Sequence, residues 1–461
     1  MGKNYPQSTR LLSEAIKLHK QKGYVDAQKI YEQVLAINPH NFDALRLLGT
    51  IFAQTNQLDK SLVLLERAKE INPHHIGLLN NYGNVLKDLK RYEEALLVYK
   101  NVINLNPEKP DAWLNQGTAL FEIKRYQEAL ASYQKAIALS PNYAEALYNG
   151  SIMQLYSKDF SDGWIGYEFR WNVHSFDSKP LITTKPIWKG EKNEGRLLIW
   201  AEQGIGDQIL YGSLFQELVQ FPQKKIIFLN SKLIPIFKRS FPEFLFLEGD
   251  QIYHEDLYDE QIPIGSLGQF FRKNKEDFKN ATHPYLLDDP IKTQHIKSLP
   301  QFSNKKTCGI SWRSSNQKLG KDKSVLLLDL LPILSSNDMQ FINLQYGDTA
   351  KEVTDLMEKH GQSIYSVPEV DIFNNIDGVL SIISACDLII TTSNSTAHLA
   401  GALGKETLLL VPYSVGKFWY WHDIDGFSLW YPSVRVFQQK TQGDWETPIH
   451  EMKSYLERKN G

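Results

Sequence analysis

The sequence predicts an α-helical repeat solenoid followed by an α/β region made of two Rossmann-like halves, an α + α/β fold class. Small, aromatic and proline residues recur every 34 positions through residues 8–171, which indicates stacked helical repeats. From Gly195 onward, short apolar runs alternate with amphipathic runs. That alternation is typical of βα units that build a parallel sheet.

Composition limits the classes of protein that fit. The chain has 461 residues, 42% of them hydrophobic, and a formal net charge of only −2. A net charge so close to zero produces no overall positive potential, so we expect no nucleic-acid partner. Cys308 and Cys386 each lie in an apolar run and are expected to be buried thiols. No apolar run approaches the length of about 18 residues that spans a membrane, so we expect a cytoplasmic protein without membrane insertion.

The repeat period is carried by independent columns. Gly49, Gly83 and Gly117 form one column, and the prolines that close each second helix form another: Pro39, Pro73, Pro107 and Pro141. A 34-residue period with helix-closing prolines is that of the tetratricopeptide repeat (TPR), a pair of antiparallel helices. We predict four repeats and a capping repeat over residues 1–171, followed by a linker over residues 172–193.

One further column faces the groove that first helices line in such arrays. Asn81, Asn115 and Asn149 are spaced by 34 residues. An asparagine amide offers both a donor and an acceptor, so such a row could hold the backbone of a bound peptide. The alternative is that these residues are solvated groove-wall positions, and the sequence leaves both open.

The first Rossmann-like half is expected over residues 194–290 and opens with an apolar strand and a glycine-rich turn. Glu202, Gln203, Gly204 and Gly206 form this turn, and Asp207 follows where its side chain can cap the next helix, predicted over residues 207–221. The turn lacks the third glycine of the dinucleotide fingerprint, which disfavours a dehydrogenase. We predict that the turn forms one wall of a cleft, because ligands of α/β proteins bind outside the carboxyl ends of the strands.

The second half is expected over residues 305–440, before a terminal helix in residues 441–461. Polar residues follow its strands: Arg313 and Lys323 after one, Gln345 after another, and Ser393, Asn394, Ser395, Thr396 and His398 after a third. Hydroxyl and amide groups that open a helix can bind an anion together with its free N–H groups. We therefore predict that these residues bind a diphosphate group of the ligand.

Metal binding is not expected. Asp423-Ile424-Asp425 has the Asp-x-Asp form of metal-dependent sugar-nucleotide sites, but it lies in a tryptophan-rich loop beside Gly426. The sequence also has no cluster of His, Cys and carboxylate residues with zinc-site spacing.

Four collinear segments resemble bacterial TPR-linked glycosyltransferases: residues 201–208, 396–405, 419–421 and 428–433. That family includes flagellin-modifying transferases, and its catalytic part is similar to lipopolysaccharide heptosyltransferases. The repeat array resembles the superhelix of the O-linked N-acetylglucosamine transferase, whose groove holds its protein substrates. The resemblance covers the repeats and nearly all of residues 186–440.

The resemblance implies a GT-B arrangement with a nucleotide sugar as donor substrate, no cofactor and no metal. In heptosyltransferases the acidic residue after the Gly-x-Gly turn is proposed as general base, and Asp207 matches it. The helix start that contacts the donor there matches Ser395, Thr396 and His398. The family often has Asp-Thr where this chain has Ser393-Asn394.

These observations lead to three hypotheses. The first is an inverting protein O-glycosyltransferase whose repeat groove holds the acceptor protein, for which flagellin is one candidate. The second is a TPR scaffold with a catalytically inactive transferase-like domain, prompted by Ser393-Asn394. The third is a transferase that acts on a glycan or lipid-linked acceptor.

Overall fold

The computed structural model describes residues 5–249, 254–281, 283–302, 305–316, 318–336, 338–414 and 416–460. The chain forms two compact units, Met1–Met153 and Gln154–Gly461. The fold class is the predicted one, a helical solenoid followed by an α/β region. The division falls inside the predicted capping repeat, not at residue 171, because the second helix of that repeat packs into the α/β unit.

The first unit is a run of antiparallel helices. They are α1 Tyr5–Lys20, α2 Tyr24–Ile37, α3 Phe42–Gln54, α4 Leu58–Ile71, α5 Ile76–Asp88, α6 Tyr92–Leu105, α7 Pro110–Glu122, α8 Tyr126–Leu139 and α9 Ala144–Tyr156, the last of which crosses the division.

The glycine column explains how the helices pair. A Cβ at Gly83 would lie 2.6 Å from Cε1 of Tyr99, and one at Gly117 would lie 2.7 Å from Cε1 of Tyr133. Each first helix therefore needs a glycine where the aromatic ring of its second helix presses against it. The glycine and aromatic columns of the sequence are the two sides of one repeated contact.

The turn inside each repeat carries a second recurring feature. Lys22, Asn56, Lys90 and Lys124, again 34 residues apart, have φ between 59° and 63°. This left-handed conformation usually favours glycine, yet lysine holds the position in most of these turns. This conformation could not be predicted from the residue types, because lysine is not a turn-forming residue.

The second unit begins with α10 Phe160–Tyr167 and a 3₁₀ turn, Glu168–Asn172. Its first half then contains β1 Arg196–Trp200, α11 Ile205–Gly212, α12 Phe215–Leu218, β2 Lys224–Leu229, α13 Ile234–Ser240, β3 Leu245–Glu248, β4 Glu260–Pro263, α14 Gly268–Phe271 and α15 Lys275–Lys279. The four strands are parallel, in the order β3-β2-β1-β4.

The helix predicted over residues 207–221 is broken into α11 and α12. Gly212 and Ser213 lie at the break, and glycine is a weak helix former. The Ser213 hydroxyl donates to the carbonyl of Leu210 at 2.7 Å and so competes with the helical hydrogen bonds.

After α16 Pro290–Lys297, the second half contains β5 Lys306–Ser311, α17 Gly320–Lys323, α18 Leu331–Leu334, β6 Met339–Asn343, α19 Ala350–His360, β7 Ile364–Tyr365, α20 Ile376–Ala385, β8 Leu388–Thr392, α21 Ser395–Ala402, β9 Thr407–Val411, β10 Asp423–Ile424, β11 Phe427–Ser428, β12 Val434–Gln438 and α22 Glu446–Asn460. The sheet order is β10-β11-β12-β9-β8-β5-β6-β7, antiparallel only at the β10-β11-β12 edge.

The parallel strands position the candidate site. The loops that follow β1, β5, β6 and β8 all leave the carboxyl ends of their strands, where α/β proteins bind ligands. The α10 helix is anchored in this unit by Trp164, whose indole donates to the carbonyl of Arg272 at 2.8 Å. A Cβ at Gly268 would lie 2.3 Å from the Trp164 ring, so α14 accepts this indole only at a glycine.

Candidate active site

A cleft of about 350 Å³ lies between the two halves of the second unit. The turn after β1 and the start of α11 form one wall. The loops after β5, β6 and β8 and the segment around Tyr420 form the other. The first half contributes Gly204, Ile205, Gly206, Asp207 and Lys232; the polar groups of the second half are Ser314, Ser315, Asn316, Lys323, Ser393, Asn394, Ser395, Thr396 and His398.

The glycine turn brings the two walls together. Gln203 has φ of 60°, a strained conformation for a non-glycine residue. A Cβ at Gly206 would lie 2.9 Å from Cδ2 of His398, so only glycine lets the turn approach α21 this closely. The small size of Gly206 therefore lets the two walls of the cleft come into contact.

Asp207 holds the turn and also faces the cleft. Its Oδ2 accepts a hydrogen bond from the Gly204 N–H at 3.2 Å, which closes the first turn of α11. Burial raises the pKa of this carboxyl to about 6, while the Gly204 N–H and the Lys323 ammonium oppose the rise. A carboxylate with a pKa near neutrality is suited to proton transfer.

Lys323 supplies the positive charge of the cleft. Burial lowers its pKa to about 8, and the charge of Asp207 works against that fall. Its Nζ lies 4.6 Å from the centre of the Phe418 ring, a cation–π contact. Over the described ranges the structure gives its ammonium no hydrogen bond, so the group is available to an anionic ligand.

The start of α21 is organised by Asn394. Its Oδ1 accepts from the Thr396 N–H at 2.9 Å, and its Nδ2 donates to the Ser311 hydroxyl at 2.8 Å. The neighbouring Ser393 hydroxyl accepts from the indole of Trp421 at 2.8 Å. The side chains of Ser393 and Asn394 thus form hydrogen bonds within the protein. Ser395 and Thr396 lie in the lining of the cleft.

His398 is buried one turn into α21. Its Nδ1 lies 3.0 Å from the hydroxyl of Tyr431. Burial, with a smaller contribution from Lys323, lowers the pKa of the imidazole to about 3. The ring is therefore neutral at physiological pH.

Arg313 and Gln345, both predicted to contact the donor, lie outside the cleft lining. The Arg313 guanidinium pairs with Glu352 at 2.7 Å. The Oε1 atom of Gln345 accepts from the backbone N–H groups of Trp312 and Arg313 at 2.8 and 2.6 Å, which pins the end of β5. Both side chains are engaged in shaping the loop, and neither is assigned a ligand.

Glu202 also lies outside the cleft. Its carboxylate is fully buried and accepts two hydrogen bonds from Arg170, at 2.7 and 2.8 Å. It also accepts from the Gly265 N–H at 2.9 Å. This predicted turn residue is an internal anchor that ties the 3₁₀ turn after α10 to β1. Gln203 is exposed at the surface of the turn, and its N–H donates to the Ser178 hydroxyl at 2.7 Å.

Several residues that line the cleft were not predicted from the sequence. Lys232 reaches from the first half to the second, where its Nζ donates to the carbonyl of Phe373 at 3.0 Å. An apolar section of the cleft also comes from scattered segments: Leu344, Tyr346, Ile372, Phe373, Ile376 and Val379. Aromatic residues are crowded over 418–430 in the sequence, and Phe418 and Tyr420 of this stretch line the cleft.

The three asparagines of the repeat column differ in their hydrogen bonds. Asn81 donates from Nδ2 to the Thr50 hydroxyl at 2.8 Å, a bond between successive first helices. Asn115 and Asn149 are partly exposed, and the structure gives their side chains no hydrogen bond within its described part. These two amides are therefore the ones open to a ligand.

Two absences concern only the residues that the structure covers. No group of three or more His, Cys, Asp or Glu side chains among them is arranged to hold a metal ion. Nor is any helix in the described ranges both long and apolar enough to cross a membrane.

Comparison with known proteins confirms the repeats. Two tetratricopeptide-repeat family models match residues 18–79 and 83–144. Tetratricopeptide arrays offer an extended surface for binding proteins, and the repeat region is such a scaffold. Protein FlbA of Caulobacter vibrioides is 28% identical over 308 residues, which are 62% of this chain and 50% of FlbA. The chain thus spans about half the length of this relative.

Solved structures are similar to about a third of the chain. MamA from Desulfovibrio magneticus RS-1 is 17% identical, with a TM-score of 0.33 over 37% of this chain and 92% of that one. YrrB, described as a TPR protein with an unusual peptide-binding site, is 18% identical, with a TM-score of 0.32 over 36% of this chain and 84% of that one.

Proposed function

We propose that this chain is an inverting, metal-independent glycosyltransferase of the GT-B type, which moves a sugar from a nucleotide sugar to a Ser or Thr hydroxyl of a protein. The observation that supports this proposal best is that a proton-accepting carboxylate and an anion-binding group line opposite walls of one cleft. Asp207, a carboxylate with a raised pKa, lies on one wall. The start of α21 and the Lys323 ammonium line the other.

The anion-binding side suits a donor diphosphate. The first N–H groups of a helix have no partner within the helix, and its positive end attracts anions. The hydroxyls of Ser395 and Thr396 lie at this end of α21, and Lys323 adds a full charge below its pKa of about 8. The apolar section near Phe373 then offers a surface for the nucleoside.

The proposed step is a direct displacement. As the acceptor oxygen forms a bond to the anomeric carbon, the bond from that carbon to the diphosphate oxygen breaks. Asp207 takes the proton of the acceptor hydroxyl, and the nucleoside diphosphate leaves with the electron pair. Lys323 and the α21 N-terminus stabilise the charge that develops on it. General base help of this kind contributes about 10²–10⁴ in rate.

The repeats favour a protein acceptor over a free glycan. They form a binding scaffold whose open amides, Asn115 and Asn149, can pair with a peptide backbone without reading its side chains. Replacing both by Ala should lower transfer to protein while hydrolysis of the donor continues. No transfer to protein by the wild-type chain, with transfer to a small glycan, would favour the glycan or lipid-linked acceptor.

One observation supports the scaffold hypothesis. The side chains of Ser393 and Asn394 form hydrogen bonds within the protein, and neither brings a carboxylate to the donor side of the cleft.

A thermal-shift panel of UDP, GDP, CMP and ADP tests the donor site. A ligand at about 100 times its Kd stabilises by roughly 2.7 kcal/mol.

Lys323→Met should abolish the shift, whereas Lys318→Met should keep it, because Lys318 pairs with Asp177 at the surface. Incubation with the matching nucleotide sugars should then give slow hydrolysis. No shift with any nucleotide, and no hydrolysis, would reject the transferase and leave the scaffold.

A further inference from the structure

Two side chains on the second-half wall of the cleft are held so that each offers a ligand a hydrogen-bond donor. Asn316 lies in the loop after β5 and Tyr346 in the loop after β6, and both line the cleft. The backbone N–H of Ser315 donates to the Tyr346 hydroxyl at 2.9 Å and so joins the two loops. Asn316 is the next residue in the chain, so the two side chains belong to one section of the wall.

The orientation of the Asn316 amide follows from its backbone partners. Its Oδ1 accepts from the N–H groups of Lys318 and Leu319 at 3.0 and 2.8 Å. A backbone N–H only donates, so the atom that faces these two groups must be the amide oxygen. Both hydrogens of Nδ2 remain, and within the described ranges the structure gives them no acceptor. The amide therefore presents only hydrogen-bond donors to a ligand.

The Tyr346 hydroxyl is fixed in the same sense. Its oxygen already accepts from the Ser315 N–H, and a phenol has a single hydrogen to donate. Over the part of the chain that the structure describes, no group accepts this hydrogen. Tyr346 therefore adds a second hydrogen-bond donor next to that of Asn316.

These two donors border the apolar section of the cleft. Tyr346 itself belongs to that section, together with Leu344 and Phe373, and the Phe373 side chain is 59% exposed. Exposed aromatic and aliphatic surface suits a flat aromatic ring. Among the described lining residues, the single carboxylate is that of Asp207, on the opposite wall. A ring bound in this section therefore meets two hydrogen-bond donors and no carboxylate acceptor.

We propose that Asn316 and Tyr346 bind a carbonyl oxygen of the nucleobase, so that the cleft selects nucleotides of uracil, cytosine or guanine over those of adenine. Each of the three selected bases has a carbonyl oxygen, whose two lone pairs can accept from both side chains. Adenine has no carbonyl, and its amine lies beside the ring nitrogens that accept, so one of the two donors would meet another donor. A site built to hydrogen-bond one group discriminates strongly against an analogue that lacks it.

The identity of the ligand as a nucleotide rests on the proposed function, whereas the direction of both hydrogen bonds is a property of the protein alone. An ionised phosphate oxygen is also an acceptor and shares the required chemistry. The place of Tyr346 in the apolar section favours the base carbonyl, and the experiment separates the two sources.

The first measurement is the Kd of UDP, GDP, CMP and ADP for the full-length protein by calorimetry. We expect ADP to bind at least tenfold more weakly than the tightest of the other three. Asn316→Asp keeps the oxygen that accepts from Lys318 and Leu319 but replaces the amide donor by a second acceptor. It should raise the Kd of the tightest nucleotide at least tenfold.

Asn274→Asp is the matched control for the added charge. The Oδ1 atom of Asn274 also accepts from two backbone N–H groups, those of Glu276 and Asp277, and this residue does not line the cleft. Its substitution should change the Kd of the same nucleotide less than twofold.

Tyr346→Phe separates the base from the phosphate, because it removes the hydroxyl without changing the charge. If the hydroxyl binds the base, the Kd of the tightest nucleotide should rise at least threefold, while that of inorganic pyrophosphate should stay within twofold. An equal loss for both ligands would place the contact on the phosphate and overturn the assignment.

Two other results would also overturn the proposal: ADP that binds as tightly as the best of the panel, or an Asn316→Asp protein with unchanged affinity. Either result leaves the nucleotide site itself standing. Should no nucleotide bind the wild-type protein, the proposed function fails and the base assignment is rejected with it.

Discussion

Asp207→Asn should make the α/β unit more stable at neutral pH, although it removes the proposed general base. The carboxyl is held where burial disfavours its charged form, which raises its pKa from 3.8 to about 6. An asparagine keeps the shape, and its Oδ1 can still accept from the Gly204 N–H. The substitution therefore removes a buried charge without leaving a donor unsatisfied.

The size and pH dependence of this gain follow from the two pKa values. Below about pH 4 the folded and unfolded states both hold the proton, and the charge costs nothing. Between about pH 4 and pH 6 the unfolded chain loses its proton first, so the wild-type protein loses stability as the pH rises. The pKa difference of about two, at ~1.4 kcal/mol per pKa unit, sets a ceiling of about 3 kcal/mol. Because Asp207 is only partly buried in the cleft wall, we expect about 1–2 kcal/mol.

Urea unfolding at pH 4.5 and 7.5, followed by tryptophan fluorescence, measures this difference. Every tryptophan except Trp113 lies in the second unit, so the signal reports on that unit. Asp259→Asn is a control of opposite sign, because hydrogen bonds from Arg196 lower the pKa of Asp259 to about 2. Because its stabilising contribution is lost only below about pH 4, Asp259→Asn should destabilise the protein to the same extent at pH 4.5 and pH 7.5. If Asp207→Asn gives no stability gain at pH 7.5, or the same gain at both pH values, burial of the Asp207 charge does not destabilise the fold.

Three other outcomes are expected. Donor turnover should follow a bell-shaped pH profile with limbs near 6 and 8, because Asp207 must lose its proton and Lys323 must keep its own; a flat profile across pH 5–9 would contradict both roles. Gly206→Ala should cut turnover at least tenfold with the fold intact by circular dichroism, since its Cβ would meet His398 at 2.9 Å. Arg170→Met should cost about 3–5 kcal/mol in urea unfolding by leaving Glu202 buried and unpaired, and adding Glu202→Leu should recover most of it.

The repeats were predictable because their determinants recur in the sequence. The contact between Gly83 and Tyr99 is repeated at Gly117 and Tyr133, so one spacing reveals the whole array. The limit was the last repeat. Trp164 and its neighbours fit the period, yet their partners lie in α14 and β1, and no periodic signal records a contact with a distant segment.

The candidate site was predictable only as a set of loops. Parallel strands bring their carboxyl ends to one edge of a sheet, so the strand pattern placed Asp207 at the edge of the first sheet and Ser395 at the edge of the second. The expectation that these two edges face one cleft came from the resemblance to GT-B glycosyltransferases. Which side chains face the ligand depends on partners far along the chain. Arg313 forms an ion pair with Glu352, and Glu202 forms one with Arg170. Arg313 and Glu202 were predicted to face the ligand because the sequence does not show that each has an ion-pair partner far along the chain.

The role of Asp207 is decided by comparing chemistry and binding in one variant. The transfer rate from the nucleotide sugar is measured for the wild-type protein and for Asp207→Asn, together with the Kd of the nucleoside diphosphate by calorimetry. A general base predicts a rate lower by about 10²–10⁴ with the Kd unchanged within twofold. Full transfer by Asp207→Asn would contradict the proposed mechanism.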